Sequence, residues 1–328
     1  MTEVAYCTYF DRGYLARGLA LIRSLRRHGD RSTVWILAMD DDVERFVREL
    51  ADPTVRSLRL DELEQADPRL LEVKPQRSRM EYYFTCTAQL MRWVAGRHPH
   101  VSKVAYLDAD MWFTDRPSRV FDALADGSVG IIAHRYPKSL ASRLAKYGTY
   151  NVGWVGARSD VEGMRCLDWW ADRCIEWCSD TPDAGRYADQ GYLDGFAAVT
   201  PALRILPEPG FDLAPWNTGR HHVSTDDGRV VADGDPVTFF HFHGLRRRSG
   251  WWVSSQLVYR APMNGALRRG LYAPYADELR SCQQWLTEHG FPASPVARRG
   301  VGLRGIAERG RRLLLDAISI ASGNAVRV

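Results

Sequence analysis

Residues 4–50 read VAYCTYFDRGYLARGLALIRSLRRHGDRSTVWILAMDDDVERFVREL. Val4–Tyr9 is an apolar run of strand length. Tyr14–His28 then places Leu15, Leu19, Ile22 and Leu25 at helical spacing and stops at Gly29. Val34–Ala38 is a second apolar strand. The acidic run Asp40–Asp42 follows and opens a helix over Val43–Leu50, since acidic side chains favour helix N-termini. Strand, helix, strand, helix within fifty residues predicts an α/β protein with a mainly parallel sheet and crossover helices. In open sheets of that kind the ligand lies beyond the carboxyl ends of the strands.

The rest of the chain extends the pattern. A helix is expected over Tyr82–Ala95, a strand over Lys103–Leu107, and strands over Ser128–Ala133 and Tyr150–Ala157. Met164–Cys178 carries Leu167, Trp170, Ala171, Cys174 and Trp177 on one helical face. Ala188–Ala198 reads as a shorter helix, Val237–His243 as a late strand, and Tyr275–His289 as the last helix of the globular part. The carboxyl-end rule then points to Tyr9–Asp11, Asp108–Asp110 and the residues after Ala133.

The sharpest chemical signal closes one of these strands: Tyr106-Leu-Asp-Ala-Asp-Met-Trp-Phe113. Two carboxylates at i and i+2 share a side of an extended chain. They repel unless a cation sits between them, and a divalent metal supplies that cation while holding a diphosphate. The plainer reading is a capped strand end. The second signal is Phe239-Phe-His-Phe-His-Gly-Leu-Arg-Arg-Arg248, where an extended chain would put His241 and His243 on one face. Imidazole suits Mn²⁺ better than Mg²⁺, and Arg246–Arg248 could neutralise a diphosphate. The plainer reading there is a core strand with incidental histidines. Asp40–Asp42 is a competing acidic cluster.

Together these residues resemble a GT-A-fold glycosyltransferase of the family 8 type, with its bacterial surface-glycan relatives, over roughly residues 3–250. Asp108-Ala-Asp110 matches the family's DxD metal motif, and His241-Phe-His-Gly244-Leu-Arg-Arg247 its His-x-x-Gly-x-x-Lys motif. The resemblance implies a divalent ion, Mn²⁺ or Mg²⁺, on Asp108, Asp110 and His241, with His243 as alternate. It implies donor contacts from Thr8, Tyr9, Asp11, Tyr14, Ala109, Asn151, Gly153, Gly244 and Arg247. Asp189 and Gln190 would flank the anomeric carbon, and Trp216 and Asn217 would lie on the acceptor side. The family's arginine before the DxD strand is absent, because Cys86 and Thr87 fall near its place; Arg77 or Arg79 could substitute. The implied reaction moves a sugar from a nucleotide-diphosphate sugar, UDP-sugar favoured, to a glycan, lipid-linked or small-molecule hydroxyl with retention. Inversion would instead require a base, Asp189 or Asp194. The rivals are a non-catalytic sugar-nucleotide or glycan-binding protein on the same fold, and a metal-dependent nucleotidyltransferase. The latter normally carries a glycine-rich phosphate loop, which Gly13 and Gly18 do not make.

Composition agrees with a folded protein: 45% of residues are hydrophobic and 26% charged, which excludes disorder and disulfide-rich scaffolds. The net charge of +4 is too small to argue for nucleic acid. Residues 291–328 hold seven arginines against Glu308 and Asp316, so the basic character sits in the tail. The six cysteines form no CxxC pair and read as buried thiols in a reducing compartment. Glu3, Asp11 and Arg12 interrupt the N-terminus early, so no signal peptide is expected. The expected organisation is a catalytic domain over 1–289 and a linker plus basic amphipathic tail over 290–328. The expected location is the cytoplasm, with the tail a candidate for the membrane's inner face or for a homodimer contact.

Overall fold

The computed structural model describes residues 3–183, 185–261, 263–291 and 303–327, with side chains in the last helix described from Gly310 onward. Its first eight strands are β1 (Glu3–Phe10), β2 (Thr33–Ala38), β3 (Val55–Arg59), β4 (Val101–Leu107), β5 (Met111–Phe113), β6 (Val129–Ala133), β7 (Tyr150–Arg158) and β8 (Leu203–Leu206). Seven of them form the central sheet, in the order β3-β2-β1-β4-β7-β6-β8. β7 runs antiparallel to both its neighbours, and the other pairings are parallel. The carboxyl ends of β1, β4 and β6 and the amino end of β7 therefore share one edge.

Helices cover both faces, and the alternation along each strand shows it. Tyr6 and Phe10 of β1, with Val34, Ile36 and Ala38 of β2, enter one core with the helices Leu15–Arg27 and Ala273–Glu288. Ala5 and Cys7, with Trp35 and Leu37, enter the other with the helices Arg79–Arg97 and Val161–Glu176. Apolar residues on both sides of a strand are what a doubly covered sheet requires. Local signals set the helix starts. Asp40 accepts from Val43 N at 3.2 Å. Ser78 and Glu81 form a reciprocal capping box before Arg79.

The expected first four elements are present with boundaries within two residues. Later regions differ. β9 (Val223–Asp226), β10 (Arg229–Ala232) and β11 (Asp235–Pro236) make a separate meander. The expected strand 237–243 is only β12 (Phe239–His241), paired antiparallel with β5 outside the central sheet. It ends because Phe242 N donates to Asp110 O at 2.9 Å and Leu245 N turns back to Phe242 O. The expected helix 188–198 is a 3-10 turn, Gln190–Gly195, followed by the single helical turn Phe196–Val199. β13 (Arg246–Arg248), β14 (Trp251–Val253) and β15 (Ala325–Arg327) form a last sheet that ties the chain's end to the globular part.

All six cysteines are buried and unpaired. The expected linker spans residues largely outside the described ones. The expected amphipathic helix is present as Leu303–Ala321. Among the described residues no helix is long and apolar enough to cross a membrane.

Candidate metal and nucleotide-sugar site

β4 ends at Leu107, and the tight turn Asp108–Asp110, closed by Met111 N donating to Asp108 O, leads into β5. β12 lies against β5 with His241 opposite Met111. That pairing carries the imidazole back to the two acids. His241 Nε2 stands 3.1 Å from Asp110 Oδ1 and 3.5 Å from Asp108 Oδ2. One ligand atom from each of the three lies within 4.8 Å of the others. Atoms bound to one divalent ion at ~2.0–2.4 Å cannot lie farther apart than about that. The donor set fits a divalent ion.

Two buried features hold the imidazole. Gly153, at the start of β7, lies beneath it: a Cβ there would fall 2.6 Å from His241 Nδ1. Gly153 O also accepts from Asp108 N. On the far side Asp212, fully buried, places Oδ1 3.5 Å from His241 Nδ1, and neither of its carboxylate oxygens has a hydrogen-bond partner. Asp212 was not singled out in the sequence, because it is a lone carboxylate in a loop; its only signal is its place two residues before Ala214-Pro-Trp-Asn217. Its backbone is left-handed at φ 50°. The Asn217 amide braces that turn, donating to Asp212 O at 2.9 Å and to His134 O at 3.2 Å.

The electrostatics follow from this crowding. Burial pushes Asp108 up to about 6, and the charge of Asp110 adds to it while His241 opposes. Burial also opposes the charge on Asp110, but His241 outweighs it and holds Asp110 well below the carboxylate range. For His241 burial favours the neutral ring, and the surrounding Asp110, Asp212 and Asp108 overcome it and raise its pKa.

A cavity of about 450 Å³ opens over these residues. Tyr9, Asp11, Tyr14, Asp108, Ala109, Asp110, Asn151, Asp189, Gln190, Trp216, His241 and His243 line it. Asp189 is buried, and neither carboxylate oxygen has a hydrogen-bond partner. Burial raises its pKa to about 7, with Asp108 adding and Thr87 opposing. The amide of Gln190 is anchored: its Oε1 accepts from Asn151 Nδ2 at 3.0 Å and its Nε2 donates to Tyr147 O at 2.7 Å. Trp216 packs its edge against His241, with centroids 4.9 Å apart. His134, the first residue after Ala133, lies between Gly148 O and Asn151 and is pushed down to about 4, burial being the main cause.

The remaining sequence candidates lie off the cavity wall. Thr8 is buried within β1, and Asn217 serves the Asp212 turn. Arg77 donates to Thr85 Oγ1 and Ile175 O, and Arg79 pairs with Asp11 at 3.6 Å. Gly244 takes φ 70° at the turn after His243. Arg246 and Arg248 both donate to Asp316 of the last helix, at 2.8 and 2.9 Å, so their charge is spent there. Arg247, between them on β13, is exposed. Asp194 accepts from Thr149 N. Trp251 and Trp252 belong to β14, away from the cavity. Asp40 is occupied as a helix cap and by Arg12 N.

No protein-family model matches the chain. The chain is 34% identical over 249 residues to the uncharacterized protein YfnF of Bacillus subtilis strain 168, covering 74% of this chain and 82% of YfnF. It is 26% identical over 290 residues to YfnD of the same organism, covering 88% and 91%. Among solved structures, the galactosyltransferase LgtC in complex with donor and acceptor sugar analogs superposes with TM-score 0.50 and 14% identity, covering 84% of this chain and 95% of LgtC. An active-site mutant of LgtC gives TM-score 0.51 at the same identity. The architecture is thus the GT-A fold, and by its relationship to YfnF the chain belongs to the YfnF family.

Proposed function

We propose that the protein is a metal-dependent glycosyltransferase that moves a sugar from a nucleotide-diphosphate donor to an acceptor hydroxyl. The observation that carries this reading is the meeting of Asp108, Asp110 and His241 at the floor of a cavity large enough for a sugar nucleotide. Those three side chains would hold a divalent ion, which when bound offsets the charge that builds on a departing diphosphate. Tyr9, Asp11 and Tyr14 at the end of β1 would take the base, UDP being the favoured donor. Asn151, fixed by Gln190, would hold the sugar. Asp189 is the one buried acid of the cavity with both oxygens unsatisfied, so it is the group aimed at the sugar or the acceptor. In a retaining reaction the sugar's bond to phosphate breaks, the acceptor oxygen bonds to the same carbon, and the acceptor proton leaves on the departing diphosphate. In an inverting one Asp189 would take that proton.

A melting-temperature panel of UDP-, GDP-, ADP-, CMP- and dTDP-sugars with and without Mn²⁺ tests the reading. Stabilisation by one nucleotide that needs the metal is expected. No stabilisation by any pair would sink it.

A further inference from the structure

The cavity needs a cation for any phosphate it takes, and the arginines that follow His243 do not supply one. Arg246 and Arg248 are held by Asp316, and Arg247 stands outside the wall. Among the lining residues a single arginine or lysine remains, Arg143. It closes the 3-10 turn Lys138–Arg143 and lies 4.8 Å from the ring centroid of Tyr259. Among the described residues no carboxylate pairs with it, and that ring contact is the side-chain contact it makes. It is half-buried, and Tyr136, Tyr147 and Tyr187 complete the walls beside it. A guanidinium with no counter-ion in a tyrosine-walled pocket is under-solvated, so an anion reaching it gains more than it would at the open surface. The planar fork matches two phosphate oxygens at once.

We infer that Arg143 is the phosphate contact of this cavity, in the place expected of Arg247. The inference rests on the reading of the cavity as a nucleotide-sugar site. The phosphate has two possible sources: the donor's diphosphate, or a phosphate carried by the acceptor.

Calorimetric titration of full-length wild type, Arg143→Gln and Arg143→Lys distinguishes them. UDP, UMP, pyrophosphate and phenyl phosphate are titrated with Mn²⁺ present, the last also into UDP-saturated protein. If Arg143 holds the diphosphate, Arg143→Gln weakens UDP and pyrophosphate about tenfold or more and leaves UMP unchanged. If it holds an acceptor phosphate, UDP is unchanged and phenyl phosphate binding to the UDP complex falls by a similar factor. In either case Arg143→Lys recovers part of the loss, which a packing defect would not. Equal affinities in wild type and Arg143→Gln for every probe would overturn the inference while leaving the donor reading intact. Binding of neither pyrophosphate nor phenyl phosphate by wild type overturns it as well, and failure to bind any nucleotide is the separate failure of the donor reading.

Discussion

His241 is useful only if its ring is held with Nε2 toward the acids, and Gly153 and Asp212 are the residues that hold it. Asp212→Asn keeps the shape and removes the charge behind the ring. It should weaken Mn²⁺ binding roughly 10- to 100-fold, the usual cost of losing the carboxylate behind a ligating histidine. Unchanged affinity in a calorimetric titration would remove Asp212 from the site. Gly153→Ala should abolish Mn²⁺ binding in a protein that still folds, because the methyl group would take the place of the imidazole edge. His134 allows a test of pH. Its folded pKa, near 4, lies below the ordinary 6.5, so the unfolded chain binds the proton first. Its contribution is therefore intact above about 6.5 and is lost as pH falls toward 4. At ~1.4 kcal/mol per unit the loss is about 3 kcal/mol. Urea midpoints measured between pH 7 and 4 should fall less steeply in His134→Gln than in wild type; parallel slopes would contradict this.

Elements differed in how plainly the sequence announced them. β1, β2 and β4 and the helices Leu15–Arg27, Asp41–Leu50 and Arg79–Arg97 are apolar runs with clear periods, so they were legible, whereas the short helices Leu60–Ala66 and Arg69–Val73 were not. The DxD turn was legible because it closes such a run. β3 was missed because Arg56 and Arg59 break its apolar character on an edge strand. β15 was missed because it pairs with β14 about seventy positions away, and β13 and β14 because their hairpin is only three residues a side. That pairing decides the fate of Arg246 and Arg248: Asp316 is buried on the last helix, and no spacing rule connects it to them. Asp212 was hidden for the same reason, since its partner is set by how β12 lies on β5. Asp316→Ala would leave Arg246 and Arg248 without their shared carboxylate. We expect a loss of roughly 1–2 kcal/mol, less than for a fully buried pair because both arginines are partly exposed. Chemical denaturation with an unchanged midpoint would mean that the last helix is not held this way.

At the scale of the whole molecule, the described side chains of the last helix place polar residues inward and several apolar ones outward. Asp316 and Ser319 are buried, whereas Leu313, Leu314 and Ile318 are exposed beside Arg311 and Arg312. A basic apolar face of that kind suits an anionic lipid surface, the contact expected of the tail. Leu313→Ser, Leu314→Ser and Ile318→Ser together should leave the melting temperature unchanged and reduce co-sedimentation with phosphatidylglycerol vesicles several-fold; equal sedimentation would end the membrane proposal. The central claim is that two acids from the end of β4 and an imidazole from β12 grip one cation that also binds the donor's diphosphate. Anomalous diffraction from crystals grown with Mn²⁺ and UDP tests it directly. The account predicts a single peak bounded by Asp108, Asp110 and His241 and touching phosphate oxygens. A manganese peak elsewhere, at Asp40–Asp42 for example, with UDP bound away from the three side chains, would contradict it.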